Sequence, residues 1–170
     1  MKHDDPLYLV LGPPNSGTHW MKDILLTGCG VRSTCRHADS VNERLIGAAF
    51  CVVMTRGIAR WVDSVTASER FEKGITRPEG KSGRYSQRWW VGEPKTDQEC
   101  HQFSYAEIFR QLAEHGTPFA VVSYESLVTD PDDTVATLCD WMGTEFSGWT
   151  EKTEPVDGNE KWRTPCAASF

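Results

Sequence analysis

The sequence predicts an α/β fold in which a short parallel sheet is covered by helices on both faces. Three continuous apolar runs, Leu7–Leu11, Ala48–Thr55 and Phe119–Ser123, are typical of strands that are buried on both sides. Turn residues and then a helical pattern follow each run, which indicates repeated strand–helix units. A length of 170 residues, with 39% hydrophobic and 25% charged, suits one three-layer α/β/α domain over residues 1–170.

The first half of the chain predicts three strands and two helices. After the first strand, a helix is expected over residues 16–26, because apolar residues recur there at four-residue spacings and glycines follow at 28 and 30. A short second strand is expected over 31–37. The run Ala48–Thr55 is a stronger strand, and residues 58–69 continue as a helix with one apolar face.

The second half begins with a long segment that shows no sustained periodicity. Residues 71–103 mix Gly, Pro, Lys and Arg with Trp89 and Trp90, so we expect a basic, aromatic loop or lid. Helix returns at 105–115, and the last strand follows. Asp130 is expected to cap a further helix that begins at Pro131 and runs to 142, and residues 144–170 are expected to be an irregular C-terminal tail.

Charge is distributed unevenly along a chain whose net charge is -6. Residues 56–95 contain nine bases and five acids, whereas residues 96–170 contain four bases and fourteen acids. General nucleic-acid binding needs a basic domain, so the overall charge argues against it. The basic middle of the chain is suited to a small anionic ligand.

Targeting and cysteine patterns exclude several other classes. No apolar run approaches the roughly 20 residues of a membrane span, and the N-terminus lacks a basic region followed by an apolar stretch, so we expect a cytoplasmic protein without membrane contact. The six cysteines are scattered singly, which predicts neither a zinc site nor a disulfide framework.

The strongest chemical signal lies between the first strand and the first helix. Gly12 and Gly17 enclose four residues and are followed by Thr18, an arrangement that presents backbone N–H groups and a helix N-terminus to an anion. A nucleoside triphosphatase needs Lys directly after the second Gly, and Thr18 stands there, so an ordinary ATPase or GTPase is disfavoured. A tight glycine turn without a ligand is the alternative.

Four motifs in order resemble the sulfotransferases that use 3'-phosphoadenosine 5'-phosphosulfate (PAPS). Pro14-x-Ser16-Gly17-Thr18-x-Trp20 is similar to that family's 5'-phosphosulfate loop, P-K/R-S-G-T-T-W/L. Arg56 at a strand end, with Ser64 eight residues later, resembles the family motif that grips the 3'-phosphate. Residues 122–131 resemble the strand-Y-E-D-L-x-x-D-P segment, and residues 161–163 resemble the C-terminal K-W-R.

The resemblance implies a short member of this family, with its P-loop-like architecture. It implies PAPS as sulfuryl donor, no metal, and a hydroxyl or amine acceptor on a small molecule, carbohydrate or peptide. The cofactor-binding residues that it implies are Pro14, Asn15, Ser16, Gly17, Thr18, His19, Trp20, Arg56, Ser64, Lys161 and Arg163.

Elementary physics favours the same arrangement. A nucleotide with phosphates on both sides of its ribose needs two anion sites, and the sequence places one after each of two predicted parallel strands. Both should lie at the carboxyl edge of the sheet, where open α/β folds bind ligands. Arg56 can donate two parallel hydrogen bonds to a phosphate, and Ser64 can add one from the adjoining helix.

Two departures from the family pattern concern catalysis. Asn15 replaces the Lys or Arg that stabilises charge on the leaving oxygen, and His19 replaces the second Thr, where it either donates to the sulfate or caps the turn. His37 resembles the family's catalytic His in placement and is the expected base, with Asp39 and Glu43 as substitutes.

Other interpretations of the sequence remain open. A small-molecule or nucleotide kinase would require Mg²⁺ and a phosphate-binding lysine, and the neutral Asn15 is compatible with a nucleotide-binding module that has lost catalysis. Since the chain is shorter than most family members, the acceptor pocket is expected to be small or completed by a second copy in a homodimer. His101 is expected at the surface, and Tyr124 with Glu125 is expected to fix a turn.

Overall fold

A computed structural model describes residues 7–36, 48–68 and 96–158 of the chain. These residues form an α/β fold with one four-stranded parallel sheet and five α-helices. The elements are β1 (Leu7–Leu11), α1 (Thr18–Asp23), β2 (Ser33–Arg36), β3 (Ala48–Thr55), α2 (Ile58–Ala67), α3 (Asp97–His115), β4 (Phe119–Ser123), α4 (Tyr124–Thr129) and α5 (Pro131–Met142). No helix in the described ranges combines the length and the apolar character needed to cross a bilayer.

The sheet has the strand order β2-β1-β3-β4, and all neighbouring strands are parallel. The three apolar runs are therefore confirmed as strands with the predicted bounds. Leu11 pairs with Val53, so β1 and β3 end at the same edge of the sheet, side by side. The chain leaves these two central strands in opposite directions, which is the position where open α/β sheets bind ligands.

Helices cover both faces of the sheet, as a three-layer fold requires. Successive residues of a strand point to opposite faces. Leu9 and Leu11 accordingly pack with α3, whereas the intervening Val10 packs with α1, α4 and α5. All three side chains are fully buried, and burying each one contributes about 1.5–3 kcal/mol of transfer free energy.

The first helix and the second strand are shorter than the sequence pattern predicts. Helix α1 begins at Thr18 rather than at Ser16, because Gly17 precedes it in a left-handed conformation with φ 92°. Residues Ile24–Gly28 then continue as a π-helical turn. The strand predicted over 31–37 is β2, which spans Ser33–Arg36.

Helix α3 begins earlier than predicted, so the expected loop over 71–103 is wrong for residues 97–103. Thr96 accepts a hydrogen bond from the Glu99 backbone, and the Glu99 side chain accepts one from the Thr96 backbone, which forms a capping box. Cys100, Ser104 and Ile108 lie buried at four-residue spacing along the helix. The polar residues among them obscured the periodicity, and residues 71–95 lie outside the described ranges.

The turn expected at Tyr124 and Glu125 is a complete short helix, α4. Its N-cap is Ser123, whose side chain accepts a hydrogen bond from the Ser126 N–H at 3.2 Å. Asp130 occupies the N-cap position of α5 with Pro131 after it, as predicted, but among the described residues no helix N–H donates to the Asp130 side chain. Within the described tail, residues 144–158 contain neither helix nor strand.

The capping box sets where α3 starts, which gives a stability prediction. Thr96→Ala removes the side-chain acceptor, so we expect the free energy of unfolding to fall by about 1 kcal/mol in urea titration. Thr137→Ala is the control, since Thr137 is an exposed residue inside α5 and its replacement should change stability by only a few tenths of a kcal/mol. Equal stability losses in the two variants would contradict the role of the cap.

Candidate functional site

The glycine loop, residues 12–17, is a tight turn that joins β1 to α1. A Cβ atom on Gly12 would lie 2.9 Å from the Met54 carbonyl oxygen, so this position admits only glycine. Asn15 has φ 58° and Gly17 has φ 92°, both in the left-handed region that asparagine and glycine tolerate best. Ser16 is fully buried, and both its N–H and its hydroxyl donate to the Pro13 carbonyl.

Three successive carbonyl oxygens of this loop are bound by donors from the protein interior. Ser16 donates to the carbonyl of residue 13, Trp61 Nε1 donates to that of residue 14 at 2.8 Å, and Arg56 donates to that of residue 15. Because these three carbonyl oxygens already accept hydrogen bonds, they repel an anion in the neighbouring space less strongly. The first N–H groups of α1 have no acceptor within the helix, and alternating left-handed residues gather such groups into an anion-binding concavity.

A cavity of about 510 Å³ opens beside the glycine loop. Its size is within the range of small-molecule sites. The residues that line it come from the loop, from α1 and α2, from the end of β3, from α4 and from the tail: Asn15, Gly17, Thr18, His19, Trp20, Asp23, Arg56, Ser64, Tyr124, Glu151, Lys152, Glu154, Val156 and Gly158.

Most of the residues expected to bind a nucleotide meet at this cavity. Seven line it, whereas Pro14 and Ser16 lie buried in the loop and support it from within. The hydroxyl of Ser16 is directed to the Pro13 carbonyl. His37, Asp39, Glu43, Lys161 and Arg163 lie outside the described ranges.

Arg56 is the most constrained of the cavity residues. It is only 5% exposed, its guanidinium donates to the Asn15 carbonyl, and that group lies 3.9 Å from the ring centroid of Tyr124. Burial lowers the pKa of Arg56, while the nearby Tyr124 and Glu125 act in the opposite direction. An arginine stays charged in spite of such a shift, so the site holds a buried cation.

The backbone around Arg56 is held by side chains that are distant in sequence. Tyr105 accepts a hydrogen bond from the Arg56 N–H at 3.0 Å and donates to the Met54 carbonyl at 3.2 Å. His101 Nε2 donates to the Arg56 carbonyl at 2.8 Å, and the Gly57 N–H donates to Glu125 at 2.9 Å. His101, which was expected at the surface without a role, is half-buried, and its ring also contacts the rings of Trp61 and Tyr105.

Ser64 and Asn15 complete the link between the two strand ends. Ser64 is 7% exposed and lines the cavity from α2, one of the positions that the sequence predicted. Its carbonyl accepts a hydrogen bond from Asn15 Nδ2 at 3.3 Å. The Asn15 amide, which stands where the family has a cation, thus positions the loop against α2.

His19 is an exposed residue in the first turn of α1 and lines the cavity. Its Nδ1 lies 3.6 Å from the Cys35 sulfur, at the end of β2. Of the two histidines expected to act in catalysis, His19 is the one within the described ranges. Its ring therefore lies where a ligand in the cavity can reach it.

Residues 150–158 form one wall of the cavity, which we call the tail wall. Trp20 Nε1 donates to the Thr153 carbonyl at 3.0 Å, and the Tyr124 hydroxyl accepts from the Gly158 N–H at 2.7 Å. Asp157 pairs with Arg60 at 3.1 Å. The tail was expected to be irregular, and nothing in the sequence indicated that it lines the cavity. For Tyr124, the one signal was its position directly after the last strand, at the edge of the sheet where ligands bind.

The lining of the cavity carries charge of both signs. Arg56 and the N-terminus of α1 form a positive side, and Lys152 adds a further cation, whereas Asp23, Glu151 and Glu154 are acidic. An anionic group is stabilised near the cations and repelled near the carboxylates.

The variant Tyr105→Phe tests whether the Tyr105 hydroxyl stabilises the backbone at the end of β3. Two backbone groups lose their partner, so we expect the free energy of unfolding to fall by about 1–3 kcal/mol in urea titration. The matched control is Tyr8→Phe, because the Tyr8 hydroxyl has no hydrogen-bond partner among the described residues and its removal should cost far less. A loss at position 105 no larger than that at position 8 would refute the role of this hydroxyl.

Comparison of the chain with protein-family models gives no match, and comparison with curated proteins gives none. The resemblance to PAPS-dependent sulfotransferases therefore rests on the four sequence motifs, and residues of the first three line the cavity while residues 161–163 lie outside the described ranges.

Proposed function

We propose that this protein is a sulfotransferase of the P-loop-like type, which transfers a sulfuryl group from PAPS to a hydroxyl or amine acceptor. The observation that carries the proposal is the contact of buried Arg56 with the glycine loop at Asn15. This contact brings two anion-binding elements to one cavity. A nucleotide phosphorylated at both its 3' and 5' positions requires two such elements within the length of a ribose.

The two phosphate groups would occupy different parts of the positive side. The 5'-phosphosulfate would lie at the first N–H groups of α1, where the hydroxyl of Thr18 lines the cavity. The 3'-phosphate would lie against Arg56 and Ser64, which line the cavity at the end of β3 and in α2. Charge-assisted hydrogen bonds from a buried guanidinium are the strongest that a side chain offers to a phosphate.

Transfer requires the acceptor oxygen or nitrogen to attack sulfur while the bond from sulfur to the bridging oxygen breaks, which releases 3',5'-adenosine bisphosphate. The acceptor proton passes to a base, and His19 is the cavity-lining histidine within the described residues. His37, Lys161 and Arg163 keep the roles that the resemblance implies, as proposals for residues outside the described ranges. Loop N–H groups would stabilise charge on the leaving oxygen in place of a cation at Asn15.

Nucleotide titration tests the proposal directly. We expect calorimetry to show tighter binding of 3',5'-adenosine bisphosphate than of ADP with Mg²⁺, because only the former places a phosphate at Arg56 and Ser64. Arg56→Ala should weaken binding of the bisphosphate by at least about tenfold, the cost of a charged hydrogen bond, and Ser64→Ala by about fivefold.

Arg110→Ala is the matched control, because Arg110 lies half exposed on α3 and pairs with Glu107 and Glu114 outside the cavity. It should bind the bisphosphate as the unaltered protein does. Ser64→Ala leaves the backbone carbonyl that Asn15 contacts, so it reports on binding even if Arg56→Ala unfolds. Preference for ADP with Mg²⁺ would indicate the kinase alternative, and binding without sulfuryl transfer to any acceptor would indicate a nucleotide-binding module.

Asn15→Lys separates the charge at this position from its backbone role. The added cation should raise the rate of sulfuryl transfer by tenfold or more, since about 1.4 kcal/mol of transition-state stabilisation gives that factor. Stability should fall by about 1–2 kcal/mol, because lysine tolerates φ 58° less well and loses the bond to the Ser64 carbonyl. Asn15→Gly, which relieves the backbone without adding charge, should not raise the rate; an unchanged rate in Asn15→Lys would contradict the proposed role of charge.

A further inference from the structure

Two cysteines contact each other where the tail leaves α5. The Cys29 sulfur lies 3.5 Å from the Cys139 sulfur, and both residues are free thiols. Cys29 directly follows the π-helical turn after α1, and Cys139 lies in the last turn of α5. A disulfide bond measures about 2.05 Å, so the two sulfurs need to approach by roughly 1.5 Å to form one.

This pair lies among the contacts that hold the start of the tail. The backbone N–H and the hydroxyl of Ser147 donate to the Gly28 carbonyl at 2.7 Å and 2.6 Å. The Thr144 N–H donates to the Cys139 carbonyl at 3.0 Å. The ring of Phe146 packs so closely on Gly28 that a Cβ atom there would collide with it. A bond between the two sulfurs would therefore join the two segments that hold residues 144–147 by hydrogen bonds.

We propose that Cys29 and Cys139 form a reversible disulfide that links the end of the π-helical turn to α5, the two segments to which Ser147 and Thr144 of the tail are hydrogen-bonded, with a small-molecule disulfide such as oxidised glutathione as the oxidant. The Cys29 thiolate attacks one glutathione sulfur, which breaks the glutathione disulfide and releases one glutathione thiol. The Cys139 thiolate then attacks the Cys29 sulfur and releases the second glutathione thiol. The protein loses two protons and two electrons, and the oxidant gains both.

Exposure determines the order of these steps. Cys29 is half-buried and meets the oxidant first, whereas Cys139 is only 4% exposed and reacts from within contact distance. Burial raises the pKa of the Cys29 thiol, so little of it is thiolate at neutral pH, and the reaction is expected to become faster as the pH rises. The disulfide would form whether or not the protein transfers sulfuryl groups.

The experiment oxidises the full chain in its folded state with oxidised glutathione, blocks remaining thiols, and maps peptides by mass spectrometry. We expect a peptide pair joined through Cys29 and Cys139 that lacks two hydrogen atoms and is restored by reduction. The oxidised protein should melt on the order of 10 °C higher, because the bond closes a long loop in the unfolded chain. Hydrogen exchange over residues 144–158 should slow.

Cys29→Ser and Cys139→Ser should each abolish the joined peptides, the gain in melting temperature and the slowed exchange. Cys35→Ser is the matched control, because Cys35 is the other half-buried cysteine of the described residues, and it should retain all three effects. Peptide maps in which both thiols stay free, or in which Cys29 carries only glutathione, would overturn the proposal. Mapping of the unaltered protein distinguishes these outcomes even if a serine variant fails to fold.

Discussion

The site depends on one buried cation that connects the ends of two neighbouring strands. Arg56 follows β3, and its guanidinium reaches the carbonyl of Asn15 in the loop after β1. Removing a charge from water costs free energy, which the ring face of Tyr124 and the surrounding hydrogen bonds offset. The backbone at residues 56 and 57 is held in turn by Tyr105, His101 and Glu125 from α3 and α4. Elements from three parts of the chain therefore converge on this arginine, and the cavity takes its shape from that convergence.

The cavity depends on the tail wall as well as on the strand ends and helices around the glycine loop. Trp20 holds this wall at the Thr153 carbonyl, and Tyr124 holds it at Gly158, so the helices after β1 and β4 both contribute to its position. Its carboxylates, Glu151 and Glu154, line the same cavity as Arg56 and the start of α1. Where the tail begins, the Cys29 and Cys139 sulfurs lie in contact, and the proposed disulfide would join the two segments to which residues 144–147 are hydrogen-bonded.

The sequence pattern predicted strands more accurately than helix boundaries, for physical reasons. A strand buried on both faces is a continuous apolar run, so Ala48–Thr55 could be delimited residue by residue. Helix α3 begins at a capping box of polar residues and buries Cys100 and Ser104, which do not give a strong apolar stripe. The contact of His101 with the Arg56 carbonyl joins residues 45 positions apart, and local spacing carries no information about it.

By itself the sequence determined the parallel α/β class and the place of the glycine loop between the first strand and the first helix. These depend on local features: apolar runs, glycines at left-handed positions, and helical periodicity. Tertiary structure alone decided that Asn15 positions the loop, that Tyr105, His101 and Tyr124 support Arg56, and that the tail supplies a wall. Such contacts form only when distant segments meet across the sheet edge, because buried backbone groups and a buried charge must then find their partners there.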